Sequence, residues 1–464
     1  MSTSKVKLAV LVDFGSTFTK VIAVDLAGRR LLGTAQAPST VDSDVTIGLH
    51  QALGRLSGQG IDIPSAALML GCSSAAGGLR MVAVGLVPSL TVEAARRAAL
   101  GAGAKVIKAF GYKMSRTEIA ELKNLAPDVI LLAGGTDGGD TDTILSNARS
   151  MAAAGLQTPV VVAGNKSVGP EAVDLLLAAG IDARLTENVL SELDRLNVEP
   201  ARDLIRQLFI ERIVHAKGLD RARELVEDII MPTPMAVLRA TQLLADGPPG
   251  ASGLGETMVV DVGGATTDVH TVAVGTPTTP GVALKGLPEP RVKRTVEGDL
   301  GLRINAQTIL EVGRAYGLFK DISLPPEELA LAVERRVRHT ATTPDSDQEF
   351  AIDRALAAVA VAVATDRHCG MLEEVWTAQG KTFVQYGKDL RQLKPVVGTG
   401  GIFAYGKGYK AVLESVTHGD PMKLKPVHPQ YWIDRRYILY GMGLLAERFP
   451  DVAYTVLREN LEEI

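Results

Sequence analysis

Two short stretches of this 464-residue chain carry the residues best suited to chemistry. One reads Asp13-Phe-Gly15-Ser16-Thr17, the other Asp261-Val-Gly263-Gly264-Ala265-Thr266-Thr267-Asp268. In each, an apolar run ends in an aspartate, then glycine, then hydroxyl side chains. Glycines after a strand let the chain turn tightly and point backbone amides at an anion. Serine and threonine hydroxyls add donors for phosphate oxygens, and a strand-end aspartate can hold a Mg2+ hydration shell or orient a water. Phosphoryl transfer needs little beyond charge neutralisation, a metal and an aligned nucleophile. One such turn is weak evidence, since an aspartate there often just caps backbone amides. Two of them, converging on one cleft, would clamp a polyphosphate from both sides. A third glycine-rich strand end, Gly398-Thr-Gly400-Gly401, stands beside them in type, and "LLAGGTDGG" reads as its echo in the first half.

The elements that must position these turns follow from the alternation of β-branched runs with alanine- and leucine-rich helical patterns, which predicts α/β layers. "KLAVLVDFG" and "TKVIAVDLAGRRLLGTAQAP" read as a strand, a turn and a hairpin partner. "DVILLAGGTDGGDTDTILSNARSMAAAGLQTPVVVAGN" reads as a βαβ unit. A charged helical region is expected from Val189 to about Leu225, and a short helix with an acidic loop between Leu324 and Phe350. The proline- and glycine-rich stretch 246–256 marks the clearest break. The length favours more than one domain, and the expected division is 1–246 and 255–464. The net charge of −4 gives no reason to expect nucleic acid or an anionic membrane as a partner. Two distant cysteines make neither a zinc site nor a disulfide framework. The apolar run near the N-terminus is too short for a signal segment and no stretch is long enough to span a membrane, so a soluble, cytoplasmic protein is expected.

The paired turns resemble the phosphate loops of the actin, Hsp70 and sugar-kinase ATPase superfamily. "MPTPMAVLRATQLL" is similar to that superfamily's first connecting helix, "GTGG" to its adenosine motif and "YILYGMGLLA" to its second connecting helix. More narrowly, "DFGSTFTK", "CSSAAGGLRM", "LLAGGTDGG", "LNVEPAR", "MPTP", "DVGGATTDVH" and "TVEGDLG", spread over 13 to about 300 with "VVGTGG" beyond, resemble the MutL-type (GlmL) accessory proteins of glutamate mutase. These are unrelated to the mismatch-repair protein of the same name. The resemblance implies two ribonuclease-H-like α/β domains facing each other across a nucleotide cleft. It implies ATP held by Gly15, Ser16 and Thr17 of one loop and Gly263, Gly264, Thr266 and Thr267 of the other, with Gly398, Gly400 and Gly401 against the adenosine. Asp13, Asp261 and Asp268 would serve catalysis and reach Mg2+, mostly through waters. The implied partner is an adenosylcobalamin-dependent mutase, glutamate mutase or an aminomutase, whose damaged cofactor the protein would help release; homo-oligomers remain open. One departure stands out: Met231 precedes the proline of the first connecting helix, where Hsp70-like proteins carry a glutamate. The Hsp70-type catalytic lysine has no evident counterpart, so slow hydrolysis is implied.

Other candidates are weighed against plainer roles. Lys20 is expected to be a solvated strand lysine rather than a phosphate ligand. Residues 133–140 either touch nucleotide or only turn the chain. Cys72 and Ser73 are expected to pack. "TVEGDLG" is expected to start a helix, with Glu297 or Asp299 facing the cleft or simply favouring the helix dipole. His368 and Cys369 diverge too far on a helix to share a metal. "DVHTVA" approaches a corrinoid-binding pattern but ends in Ala273 on the strand leaving the second loop, so the chain is not expected to hold cobalamin. A small-molecule kinase and a nucleotide-dependent scaffold are the alternative functions for the same cleft.

Overall fold

The computed structural model describes residues 7–15, 17–40, 44–63, 67–74, 79–193, 195–216, 226, 228–317, 319, 324–377 and 380–464. Ser16 and residues 75–78 of "CSSAAGG" lie outside them, as do 217–225. The chain opens with β1 (Leu8–Phe14), β2 (Phe18–Asp25), β3 (Arg30–Pro38), α1 (Val45–Ser57) and β4 (Leu68–Ser73). An inserted layer follows: β5 (Arg80–Gly85), α2 (Glu93–Gly101), β6 (Lys105–Gly111), α3 (Arg116–Leu125), β7 (Val129–Leu132), α4 (Asp142–Ala153), β8 (Val160–Val162), α5 (Gly169–Ala178) and β9 (Ala183–Leu185). Then come β10 (Leu190–Glu192), β11 (Arg195–Leu196), α6 (Glu199–Ala216), β12 (Asp228–Pro232) and α7 (Thr233–Asp246).

The remainder is β13 (Thr257–Val262), β14 (Thr267–Val272), β15 (Ala283–Lys285), β16 (Val292–Glu297), α8 (Ala306–Tyr316), α9 (Pro326–Arg338), α10 (Asp347–His368), β17 (Met371–Thr377) and β18 (Gly380–Tyr386). It closes with β19 (Pro395–Thr399), α11 (Gly401–Tyr405), α12 (Tyr409–Glu414), β20 (Gln430–Ile433), α13 (Leu439–Ala446), α14 (Pro450–Asn460) and β21 (Glu462–Glu463).

Two sheets repeat one plan. The first runs β3-β2-β1-β4-β12 and the second β16-β14-β13-β19-β20, with β21 added at its edge. In both, the leading strand pairs antiparallel with the next and parallel with a later one (β1 with β2 and β4, β13 with β14 and β19). This duplicated order is the ribonuclease-H-like plan, and it makes the molecule two-lobed. β1 is buried at every position, as expected of a central strand covered on both faces. The inserted layer is a separate sheet, β6-β5-β7-β8-β9, parallel throughout. Its α3 starts on a capping box in which Ser115 and Glu118 satisfy each other's free amides.

One apolar cluster joins the lobes: Leu11 and Ile22 from the first sheet, Val259 and Val397 from the second, and Met235, Ala236, Tyr440 and Met442 from α7 and α13. Those two helices cross at backbone contact, since a Cβ on Gly443 would lie 1.8 Å from the Ala236 carbonyl oxygen. The small residues read in the second connecting helix therefore sit at its crossing with the first.

Three expectations need correction. The helical region drawn from Val189 begins instead with the β10–β11 hairpin, and α6 starts only at Glu199. "TVEGDLG" does not start a helix: Thr295 to Glu297 finish β16, and the next helix begins at Ala306. "LLAGGTDGG" is no counterpart of "GTGG", because it follows β7 of the insertion. The strand equivalent to β19 is β4, so Cys72 opposite Asp13 corresponds to Thr399 opposite Asp261. Among the described residues, no helix is long and apolar enough to cross a membrane.

Candidate functional site

Each candidate loop is the tip of the first hairpin of its sheet, and the two tips are built alike. The Gly15 amide donates to the Phe18 carbonyl at 3.1 Å, and the Gly263 amide to the Thr266 carbonyl at 2.9 Å. A Cβ on Gly15 would meet the Phe18 carbonyl oxygen at 2.5 Å, so only glycine permits this turn. Ser39 steadies the first tip by donating its hydroxyl to the Gly15 carbonyl at 2.7 Å. Thr267 steadies the second, donating to the Leu300 carbonyl at 2.7 Å. Thr17 and Thr266 sit at the tips, and Gly264 is exposed beside them.

Strand alternation places the seventh residue after each aspartate directly across the hairpin: Lys20 faces Asp13, and Asp268 faces Asp261. Lys20 is thus not a solvated strand lysine. Its Nζ lies 2.7 Å from Asp13 Oδ2 and 4.6 Å from the centre of the Tyr437 ring. Burial works against its charge, but Asp13 outweighs that and holds its pKa above the ordinary lysine value. Asp13 is 1 % exposed and takes a second hydrogen bond from the Thr233 hydroxyl at 2.6 Å. Thr233 opens α7, so the first connecting helix begins on the loop aspartate. Cys72 packs behind it, with Sγ 3.8 Å from Asp13 Oδ1, and burial pushes its thiol well above the usual range.

The second hairpin has no lysine. Burial, with Asp268 next, pushes Asp261 up to about 7; Asp13 and Asp434 add to the rise and Lys20 opposes it. Asp268 is raised by burial and partly relieved by Arg294, whose Nη2 donates to Asp268 Oδ2 at 3.2 Å. Its other oxygen, Oδ1, is buried without a hydrogen-bond partner among the described residues. Leu11 and Ile22 of the first hairpin pack in one cluster with Val259 and Val397 of the second sheet, and Asp13, Asp434 and Lys20 bear on the charge of Asp261, so the two hairpins lie near each other. Among the described residues no three acidic, histidine or cysteine side chains form a ready metal cluster. Asp13 is engaged by Lys20 and Thr233, which leaves Asp261 and Asp268 as the pair open to a cation.

Of the third motif's glycines, Gly400 lies against the end of β13. Gly400 has φ 104°, and a Cβ there would meet the Val262 carbonyl oxygen at 2.3 Å and Asp261 Oδ1 at 3.0 Å. Gly398 is pressed by Phe403, whereas Gly401 has open space beside it. Met231 is fully buried in the apolar cluster between the lobes.

Several residues escaped the sequence reading. Asp434 is fully buried, accepts from the Ile438 and Leu439 amides at 2.9 Å each and from the Thr399 hydroxyl at 3.0 Å, and so caps α13 beside Asp261. Arg294 donates to the carbonyls of Leu100 and Ala104 at 3.1 and 3.0 Å, tying Asp268 to the inserted layer. Lys105, at the start of β6, reaches Gly298, and its charge opposes the rise at Asp268. Glu297 and Asp299 are both held by Arg367 rather than free in the gap. The equal seven-residue spacing could have exposed Lys20; the other partners come from far along the chain and leave no local pattern.

Two repeated sheets, hinged on crossed helices with an acid-bearing hairpin tip from each meeting at one gap, define a two-lobed protein of the actin, Hsp70 and sugar-kinase type. The MutL protein family model matches residues 9–461. The chain is 45% identical over 459 residues to Protein MutL of Clostridium tetanomorphum, covering 98% of this chain and 99% of that one. It belongs to the MutL family, the one its motifs resemble and not the mismatch-repair protein. Among solved structures it is similar to a glycerol dehydratase reactivase (10% identity, 95% of this chain and 99% of that one, TM-score 0.34). It is also similar to xylulose kinase from Bifidobacterium adolescentis (12% identity, 99% and 94%, TM-score 0.32). The fold rests on the strand order above, not on these distant likenesses.

Proposed function

We propose that this protein binds ATP with Mg2+ between its hairpin tips, hydrolyses it slowly, and uses the resulting lobe movement to reactivate an adenosylcobalamin-dependent mutase, either glutamate mutase or an aminomutase. The observation that carries the nucleotide reading is the meeting of Asp13 and Asp261 at one gap with opposite electrostatic settings. Asp13 is neutralised by Lys20; Asp261 and Asp268 stand opposed with a buried oxygen unsatisfied. That donor set suits a divalent cation, because hard carboxylate oxygens are what Mg2+ accepts, mostly through its waters. When bound, Mg2+ would supply positive charge to neutralise the phosphates.

The chain's own residues do the rest. The amides at the two hairpin tips beyond Gly15 and Gly263, whose own amides close the turns, and the hydroxyls of Thr17 and Thr266 bind phosphate. Gly400 and Gly401 leave backbone bare for the adenosine. Thr233 and Asp434 tie the starts of α7 and α13 to this gap, so a change at the phosphates reaches the hinge helices directly. With Met231 apolar where a glutamate base would stand, turnover is slow. The division into units 1–246 and 255–464 belongs to the same reading. The mutase partner is supported by the family's motifs, and a pull-down with ATP against glutamate mutase and an aminomutase tests it. For the nucleotide, Asp261→Asn should lower Mg2+-dependent ATP turnover by about a hundredfold or more; unchanged phosphate release by the variant would refute the site.

A further inference from the structure

A cavity of about 290 Å3 opens between β2 and β3, the C-terminal end of α1 and the segment that leads into α13. Its charged and aromatic lining is Lys20, Arg55, Arg436, Tyr405, Tyr437 and Tyr440, and no carboxylate is among its lining residues. The Lys20 charge is already answered by Asp13, so Arg55 and Arg436 set the sign of the space. Arg436 is exposed and makes no ion pair among the described residues, while Arg55 spends one nitrogen on the Gln36 carbonyl. Two guanidinium groups bordering one space favour an oxyanion, which they grip through paired N–H donors.

A second observation points the same way. Tyr440 is 2 % exposed, and its buried hydroxyl has no hydrogen-bond partner among the described residues. An unsatisfied buried hydroxyl costs about 1–3 kcal/mol unless something fills its bonding capacity. Tyr437, also on the cavity wall, has φ 53°, a left-handed conformation that a bulky residue adopts only where its surroundings demand it. Burial holds both phenols well above their ordinary range, so they remain protonated donors at neutral pH.

We propose that this cavity binds a small dianionic oxyanion, inorganic phosphate or a short dicarboxylate, as a site distinct from the nucleotide gap and coupled to it through Lys20. The volume stands at the small end of ligand clefts, about 300–1,000 Å3, and suits such an anion rather than a chain segment. Arg55 and Arg436 take its oxygens at the mouth, and Tyr440 donates from the floor. Because Lys20 borders the cavity on one side and pairs with Asp13 on the other, occupancy would adjust the grip on the first loop. The assignment does not need the ATP reading to be right.

Isothermal titration of the full-length protein with phosphate alone and with succinate alone, each with and without a saturating non-hydrolysable ATP analogue, tests it. Saturable binding of either anion that persists beside the nucleotide is expected. Arg436→Ala and Arg55→Ala should each weaken it about tenfold, and Tyr440→Phe about fivefold, with nucleotide affinity unchanged in the arginine variants. The succeeding probe identifies the anion class. Binding of neither anion, equal binding by wild type and both arginine variants, or complete displacement by the nucleotide would each overturn the proposal. Failure of the wild-type protein to bind the nucleotide analogue, with anion binding intact, would count against the ATP site alone.

Discussion

The two hairpins share strand order, turn geometry and the seven-residue interval from the loop aspartate to the residue facing it, and the charge of that facing residue is opposite. Across from Asp13 stands Lys20; across from Asp261 stands Asp268. In the first hairpin the charge is closed, carboxylate on ammonium at 2.7 Å, with a threonine hydroxyl on the other oxygen. In the second it is open: two carboxylates, an arginine on one of them, and an oxygen with no partner. A duplicated fold has thus divided its labour. In one hairpin the carboxylate is paired within the protein; in the other two carboxylates have one arginine between them, and there we place the proposed cation.

That contrast can be broken from either side. The largest effect is expected from Asp268→Lys, which gives the second hairpin the pairing of the first. Mg2+-dependent nucleotide binding should fall about a hundredfold or more, read by titration with and without the metal. Next is Lys20→Ala, which strands a carboxylate 1 % exposed. Removing one partner of a buried pair costs about 3–5 kcal/mol, measurable by urea unfolding, and adding Asp13→Asn should return part of the loss. Thr233→Val, which removes only the hydroxyl donor to Asp13, should cost roughly 1.5–3 kcal/mol by the same assay.

The smallest effect is a pH dependence that sharpens the comparison. With its pKa near 7 against about 4 in an unfolded chain, Asp261 keeps a proton in the folded state over a range where the unfolded state has lost it. The unfolded form then binds fewer protons, so this group's contribution to stability is fully present below about pH 4 and declines as pH rises through 7. In metal-free buffer, Asp261→Asn should match the wild type near pH 5 and exceed it near pH 8 by about 1–2 kcal/mol.

Much of this was open to reading in the chain itself. The Asp-x-Gly turns, the apolar strands before them and the small residues of "YILYGMGLLA" are local patterns, and local patterns survive in a sequence. What failed was of two kinds. "LLAGGTDGG" looked like a partner of "GTGG" because glycine-rich strand ends are alike in composition; only strand order shows that β4, ending in Cys72, is the true equivalent of β19. Asp434, Arg294 and Lys105 gain their roles from contacts made by distant segments, and nothing beside them announces it. Lys20 lies between these cases. The seven-residue interval that matched Asp261 to Asp268 applied equally to Asp13, but a lysine in a strand is ordinarily at the surface, and that prior hid a buried partner.

Gly443 deserves a last consequence. With its bare Cα set against the Ala236 carbonyl, the two long connectors have no side-chain cushion between them. Shapes that interlock this closely cannot glide past one another, yet they can swivel about the point where they touch. On the function proposed above, any gape of the jaws is an angular swing about that contact, and a bulkier residue at that bearing would jam it.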